Sequence, residues 1–238
     1  MTAPRPFIVA VDGPAGAGKS TASRSLAARL GFTMVDTGAI YRSVALAASR
    51  AGVAFDDDAR LAALLPSLQI RFTPAPVGQP AGLRVLLGGE DVSEAIRTPP
   101  MSLGASAVSA RPVVRAGLLG LQRRLATAPG NRGAVLEGRD VGTVVFPDAD
   151  AKFFLTASDE VRARRRFEEL RGRGDPSTFE QVLAEQRRRD RDDSQRAVAP
   201  LKPAPDAVRV DTSGLTLDQV VDQLVAEVER RLAARGRA

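Results

Sequence analysis

A glycine-rich segment near the amino end of the chain carries residue types that bind phosphate. Residues 13–20 read GPAGAGKS and fit the pattern GxxxxGK[ST]. Glycines let successive backbone N–H groups turn toward phosphate oxygens, Lys19 can reach the β and γ phosphates, and the Ser20 hydroxyl can ligate Mg²⁺. The segment therefore predicts a nucleotide-binding site. Its expected members are Gly13, Pro14, Ala15, Gly16, Ala17, Gly18, Lys19, Ser20 and Thr21.

The flanking sequence gives this loop the context that a phosphate site needs. The preceding run, FIVAVD at residues 7–12, is apolar and β-branched, as in a buried parallel strand. Residues 19–30 follow with apolar positions at helical spacing, and Gly31 is a candidate C-cap. The chain has no Asn-Lys-x-Asp motif of a regulatory GTPase and no Leu-Ser-Gly-Gly-Gln signature of a transporter ATPase. A small phosphotransferase is the expected class.

The composition narrows the available chemistry. The 238 residues include no cysteine and no histidine, which excludes thiolate catalysis, a serine–histidine triad and the usual zinc sites. The net charge is +6, and only three of the 34 basic residues are lysines. The arginine-rich stretch 158–196 holds eleven arginines against ten acidic residues, which argues against a nucleic-acid-binding arm. Scattered arginines suit a small phosphate-rich ligand better.

The rest of the chain alternates strand and helix patterns. This alternation predicts an α/β fold with a parallel core sheet in a three-layer arrangement. A region at 68–94, with a Pro- and Gly-rich loop and the turn Gly88-Gly89, predicts a small antiparallel insertion. Thr37 and Asp58 are expected helix caps. Expected strands are 7–12, 32–36, 68–72, 83–87, 133–137, 151–155 and 207–211; expected helices are 19–30, 37–51, 59–65, 99–110, 112–128, 158–170, 178–196 and 216–234.

One helix carries a stripe of residues that begins apolar and ends charged. Spacings of three and four place these residues on one helical face. The charged end either faces a cleft or runs out into solvent, and the spacing alone leaves both open. The stripe comprises Phe179, Val182, Gln186, Arg189, Asp193 and Arg196.

Four blocks of the sequence together resemble the bacterial cytidylate kinases. They are VDGPAGAGKS at 11–20, DTGAIYR at 36–42, EGRDVGTVVFP at 137–147, and Arg189-Asp190 with Asp193-Ser194 and Arg196 before APL at 199–201. The resemblance covers almost the whole chain. It implies a P-loop kinase fold that transfers a phosphoryl group from ATP, with Mg²⁺, to CMP or dCMP.

The family resemblance also implies a division of the chain. The core is expected at 1–36, 130–170 and 197–238. The monophosphate-binding region is expected at 37–129, with its β insertion at about 68–94. A short lid follows at about 171–177, and then the helix at 178–196.

Carried over residue by residue, the resemblance assigns the substrate contacts. An ionised acceptor phosphate needs no general base, only positioning and charge neutralisation, and Arg42 and Arg139 are assigned to it. Asp140 suits the exocyclic amine of cytosine because a carboxylate only accepts hydrogen bonds. The remaining contacts to CMP are assigned to Asp36, Thr37, Ser106, Arg115, Arg189, Asp193 and Arg196. A surface arginine, a loop salt bridge or a packed serine is the alternative at several of these positions.

Catalytic and metal roles complete the expected site. The candidate catalytic residues are Lys19, Arg139, Arg162, Arg166 and Arg173. The last three flank or occupy the lid, and ordinary helical ion pairs are the alternative for them. Ser20 and Glu137 are the candidate Mg²⁺ ligands. The family usually has aspartate at the position of Glu137, so its role is open.

Two other function classes fit parts of the pattern. A P-loop kinase for a neutral hydroxyl acceptor, such as shikimate or a sugar acid, would need a carboxylate base, and Asp36 could serve. A nucleotide-responsive or RNA-binding protein would exploit the positive charge and bind polynucleotides in a salt-dependent way. The chain shows no apolar signal segment and no apolar run of ~18 residues. We expect a cytoplasmic monomer that binds no nucleic acid and no membrane.

Overall fold

The structure is a computed structural model that describes residues 5–74, 83–172 and 174–236. The chain divides into two compact units, residues 1–34 with 126–238 and residues 35–125. The strands are β1 (Phe7–Asp12), β2 (Thr33–Asp36), β3 (Ile70–Pro74), β4 (Leu83–Leu87), β5 (Glu90–Asp91), β6 (Gly133–Gly138), β7 (Ala151–Thr156) and β8 (Val208–Asp211). The helices are α1 (Lys19–Leu30), α2 (Thr37–Arg50), α3 (Asp58–Leu64), α4 (Pro99–Ser109), α5 (Pro112–Ala126), α6 (Asp159–Arg171), α7 (Phe179–Gln195) and α8 (Leu217–Arg235).

The core sheet has the strand order β2-β6-β1-β7-β8. Strand β1 pairs in parallel with β6 on one side and β7 on the other, so Asp12 lies opposite both Gly138 and Phe154. Every residue of β1 and β6 is buried, as in a parallel sheet covered on both faces. This arrangement places the ends of three neighbouring strands at one edge, where the glycine-rich loop begins.

The core of the first unit forms between this sheet and helices α1 and α8. Leu26 of α1, Leu224 of α8 and Phe153 of β7 are nearly or fully buried in one cluster with Val9 and Val11. Burying each such side chain contributes about 1.5–3 kcal/mol. The rigid sheet and α1 hold the loop between them.

The second unit contains helices α2 to α5 and a three-stranded antiparallel sheet in the order β3-β4-β5. Strands β4 and β5 are joined at Gly88 and Gly89, which have φ of 60° and 91°. Glycine adopts this left-handed conformation without steric cost. The expected antiparallel insertion is therefore present, and its loop at 75–82 lies outside the described residues.

Several boundaries differ from the sequence-based expectations. The cap of α2 is Asp36, which accepts from the Ala39 N–H at 2.8 Å, and not Thr37. The cap of α3 is Asp57, which accepts from Arg60 N–H, and not Asp58. In both cases the carboxylate one position earlier reaches the free amides of the first turn. Strand β3 begins two residues later than expected. Strand β5 and a π-helix at Val141–Val145 were not expected.

Candidate active site

The glycine-rich loop connects β1 to α1, and its backbone admits only glycine at the first position. Gly13 has φ of 146°, and a Cβ there would lie 2.0 Å from the Leu155 carbonyl oxygen. Lys19 is buried, and its Nζ donates to the Pro14 carbonyl at 2.7 Å. The lysine ammonium is thereby held over the loop that the sequence predicts to bind phosphate.

The electrostatics of Lys19 fit a site built for an anion. The Lys19 pKa is lowered to about 7. Burial is the largest cause, and the positive charge of Arg139 acts in the same direction. Glu137, Asp12 and Asp193 act in the opposite direction. A bound phosphate would favour the charged ammonium, because an opposite charge nearby stabilises the ionised form.

Ser20 and Glu137 lie together at the end of β6. The Ser20 hydroxyl donates to the Glu137 carboxylate at 2.7 Å, and Glu137 is buried. Hydroxyl and carboxylate oxygens are ligands that Mg²⁺ accepts, and this ion usually takes few protein ligands beside substrate phosphates and water. The donor set present therefore fits Mg²⁺.

A cluster of arginines surrounds one acid beside the end of β6. The Arg139 Nε donates to Asp193 Oδ2 at 3.1 Å, and the other oxygen of Asp193 lies 3.6 Å from Nη1 of Arg196. Arg189 is half-buried, and its pKa is lowered by burial first and then by the charge of Arg139. Arg139 and Arg189 near one carboxylate leave surplus positive charge, which suits an anionic ligand.

Helix α7 presents the expected stripe to the interior. Val182, Gln186 and Asp193 are its buried residues, whereas Arg187 and Arg188 between them are exposed. The charged end of the stripe therefore faces inward, and the alternative of a helix that runs out into solvent is wrong for this segment. A capping box at Thr178 and Gln181 fixes where the helix begins.

Asp140 lies between β6 and the π-helix and is buried. Arg139 directly precedes it, so both expected substrate contacts are on one short segment at the carboxyl edge of the sheet. Ligands of open α/β sheets bind outside this edge.

The expected contacts in the second unit lie on α2, α4 and α5. Asp36 pairs with Arg42 at 3.1 Å, and Thr37 is buried beside them in the first turn of α2. Arg115 is buried, donates to the Ser109 carbonyl and stacks over the Tyr41 ring at 5.6 Å. Ser106 is half-buried on α4.

The three lid arginines differ in their surroundings. Arg162 is buried and donates to the Ala15 carbonyl at 3.0 Å, to Asp190 at 2.6 Å and to Asp159 at 2.5 Å. Arg166 is half-buried and pairs with Glu169. Arg173 lies outside the described residues. The role expected for all three on the transferring phosphoryl group stays a prediction.

Two residues with clear contacts in the site region received no role from the sequence, although both lie in the blocks that carry the family resemblance. Asp190 on α7 holds Arg162, and Asp12 at the end of β1 accepts from two backbone N–H groups of the π-helix. The only signal for Asp12 was its place directly before the loop.

Within residues 5–74, 83–172 and 174–236, no helix combines the length and the hydrophobicity that a membrane span requires.

Comparison with known proteins agrees with this geometry. A family model described as cytidylate kinase matches residues 9–230. The chain is 52% identical over 227 residues to a cytidylate kinase of Geobacter sulfurreducens, covering 95% of this chain and 94% of the relative. It is 45% identical over 226 residues to a cytidylate kinase of Pasteurella multocida, covering 95% and 96%.

The fold also has a counterpart among solved structures. The structure of an uncharacterized protein from Eubacterium ventriosum superposes with a TM-score of 0.51 at 10% identity, over 94% of this chain and 98% of that one. At this identity the similarity concerns the fold alone. The family model and the curated relatives decide the assignment, and the chain belongs to the cytidylate kinase family.

Proposed function

We propose that this chain transfers the γ-phosphoryl group of ATP to CMP or dCMP and releases ADP with CDP or dCDP. The observation that carries the proposal is the Arg139–Asp193 pair, with Arg189 and Arg196 beside it, in the same unit as the phosphate loop. The charge of Arg139 acts on Lys19 of that loop. One unit therefore holds two neighbouring positive centres, as two phosphates require.

In the proposed reaction, an oxygen of the CMP phosphate attacks the γ-phosphorus of ATP. The new P–O bond forms as the bond to the β–γ bridging oxygen breaks, and ADP leaves with that electron pair. No proton has to be removed from an acceptor that is already ionised, since its second pKa is about 6. The protein therefore contributes positioning and charge neutralisation, which suits a chain without histidine.

Each charged group has an assigned part in this scheme. Lys19 and the loop amides hold the β and γ phosphates, and Arg139 holds the acceptor phosphate. Ser20 and Glu137 would hold Mg²⁺, which would neutralise charge on the phosphates. The lid arginines Arg162, Arg166 and Arg173 are assigned to stabilising the transferring group.

Further residues are assigned to recognition of the nucleoside. Asp140 accepts from the cytosine amine, and a carboxylate has no favourable contact with the carbonyl that uracil presents there. Asp193 and Arg189 are assigned to the ribose. The remaining substrate assignments are Asp36, Thr37, Arg42, Ser106, Arg115 and Arg196. We further propose that the enzyme acts in the cytoplasm as a monomer.

A coupled ADP-release assay tests the proposal. With ATP and Mg²⁺, we expect fast turnover of CMP and dCMP, weak turnover of UMP, and none of AMP, GMP or shikimate. A Lys19→Ala variant is the control and should lose kcat by about 100-fold or more, because it loses the charge over the phosphates. A folded, ATP-binding protein that turns over no monophosphate would refute the proposal.

A further inference from the structure

Asp12 forms a buried link that the proposed reaction does not use. It is the last residue of β1, and the residue is 4% exposed. Oδ1 accepts from the Val141 N–H at 2.8 Å, and Oδ2 accepts from the Gly142 N–H at 2.7 Å. Each oxygen of one buried carboxylate thus holds one backbone amide.

The two amides belong to the start of the π-helix that follows Asp140. N–H groups at the start of a helix have no partner within the helix, so their position depends on an outside acceptor. Asp12 is that acceptor, and Gly13 of the phosphate loop follows it directly in the chain. One residue therefore ties the peptide after Arg139 and Asp140 to the origin of the phosphate loop.

Lys152 of β7 also lies beside the Gly142 backbone. Its Nζ donates to the Pro147 carbonyl at 2.6 Å and to Asp206 at 2.9 Å, which holds the side chain in place. A Cβ on Gly142 would lie 3.2 Å from Lys152 Cδ and 3.4 Å from Asp12 Oδ2. The Gly142 backbone is therefore closely packed beside the Asp12 carboxylate and the aliphatic part of the Lys152 side chain.

We propose that Asp12 is a positioning residue that sets CMP affinity and base selectivity by fixing the segment of Arg139 and Asp140, without touching CMP itself. This inference rests on the proposed function for its kinetic consequences. An ionised carboxylate offers two acceptors to two donors. Asparagine has nearly the same size but offers one acceptor and one NH₂ group, so one of the two amides then faces a donor.

The kinetic test compares Asp12→Asn with a matched variant of Asp150, a carboxylate that contacts the other end of β1. Asp150 accepts from the Ile8 N–H at 2.7 Å and pairs with Arg5, away from the phosphate loop. We expect Asp12→Asn to raise the KM for CMP and to lower the kcat/KM ratio of CMP over UMP, each by about 10-fold, the effect of one buried hydrogen bond. Asp12 also favours the charged form of Lys19, so the KM for ATP should rise too, but by a smaller factor than the KM for CMP.

Asp150→Asn removes a comparable carboxylate and should leave both KM values and the selectivity ratio unchanged while it lowers the melting temperature. Equal changes in the KM for CMP and for ATP, or an unchanged CMP-to-UMP ratio in Asp12→Asn, would overturn the positioning role. Such results would make Asp12 a stabilising residue only.

A second pair of variants covers the case that Asp12→Asn does not fold. Gly142→Ala crowds the same peptide against Lys152 Cδ, 3.2 Å from the added Cβ, and so disturbs its fit to Asp12. We expect the same rise in the KM for CMP with little change for ATP. Gly214→Ala is its control, because a Cβ there meets no atom within 4 Å. Unchanged kinetics in Gly142→Ala would contradict the proposal.

Hydrogen exchange separates this inference from the proposed function. The amide protection of Val141 and Gly142 should fall by about 10-fold in Asp12→Asn and not in Asp150→Asn. This result decides the positioning claim even if the wild type phosphorylates no CMP, in which case the proposed function fails by itself. Unchanged protection of both amides would refute the link.

Discussion

At the scale of single residues, the distribution of charge around Asp193 explains how the arginines beside it are held in place. Arg139 and Arg196 both lie near the carboxylate of Asp193, and burial and Arg139 disfavour the charge on Arg189. The acid offsets part of this repulsion and holds the guanidinium groups in one arrangement, which suits the phosphate binding proposed for them. Such preorganisation lowers the ordering cost of binding.

Asp140→Asn should lower the preference for CMP over UMP. The amide can donate to the uracil carbonyl, whereas the carboxylate cannot, so the ratio of kcat/KM values should fall by about 10- to 100-fold, as for a charged hydrogen bond. Steady-state assays with the two nucleotides measure this ratio. Asp148→Asn is the control, because Asp148 is exposed eight residues further along the chain. Unchanged selectivity in Asp140→Asn would refute its role in reading the base.

At the scale of elements, the first turn of α6 packs directly against the phosphate loop through Arg162. A Cβ on Gly16 would lie 2.9 Å from both the Cβ and the carbonyl oxygen of Arg162. The Arg162 guanidinium also joins the loop carbonyl of Ala15 to Asp190 of α7. One buried side chain thus connects the loop with two helices.

Arg162→Lys should destabilise the first unit by about 3 kcal/mol, because a single ammonium cannot replace the planar fork and leaves buried acceptors without donors. Denaturant unfolding measures this loss. Arg166→Lys is the matched control on the same helix; its partly exposed pair with Glu169 should contribute at most about 1 kcal/mol. Equal losses in the two variants would show that the Arg162 contacts add no stability.

The elements also show what the sequence could predict. Strands β1 and β6 and helix α1 were predicted within a residue, because apolar runs and the GxxxxGK[ST] pattern report burial and phosphate binding directly. The predicted caps of α2 and α3 lie one residue after the observed caps, Asp36 and Asp57. Neighbouring polar residues compete for the same free amides, so the sequence does not distinguish them.

Other features of the fold have no signal in the sequence around them. The first two N–H groups of the π-helix at Val141–Val145 donate to Asp12, which is about 130 residues away in the chain and meets the π-helix only across the sheet. The same holds for the contact of Arg162 with Asp190. Long-range polar contacts of this kind follow from the packed fold and not from a periodic pattern.

At the scale of the whole molecule, Asp12 should make stability depend on pH. The Asp12 pKa is raised from 3.8 to about 6, and burial is the largest cause. The two backbone N–H groups and Lys19 oppose this rise, whereas the charge of Asp140 contributes to it. The folded state therefore binds this proton more tightly than the unfolded state. Its contribution is full below pH 4 and is lost as the pH rises to about 6, a change on the order of 3 kcal/mol.

The side chain at position 12 cannot ionise in Asp12→Asn. Comparing this variant with the wild type therefore isolates the contribution of Asp12 ionisation to the free energy of unfolding. The free energy of unfolding of the wild type minus that of Asp12→Asn should fall as the pH rises from about 4 to about 7. Urea unfolding of both proteins across this range measures the difference, in which the other titrating groups cancel. A difference that is constant with pH would mean that the Asp12 pKa is the same in both states.

The contacts at the start of β1 bring the two ends of the described chain together. Arg235 at the end of α8 donates to the Arg5 carbonyl at 2.7 Å, and both arginines pair with Asp150. The phosphate loop follows the other end of this six-residue strand, about 20 Å away. A short linker between residues 236 and 5 therefore makes circular permutation feasible, with new ends at the exposed turn of Gly88 and Gly89. A tether at residue 5 or at residue 236 would likewise hold the protein near the end of β1 that is opposite the phosphate loop.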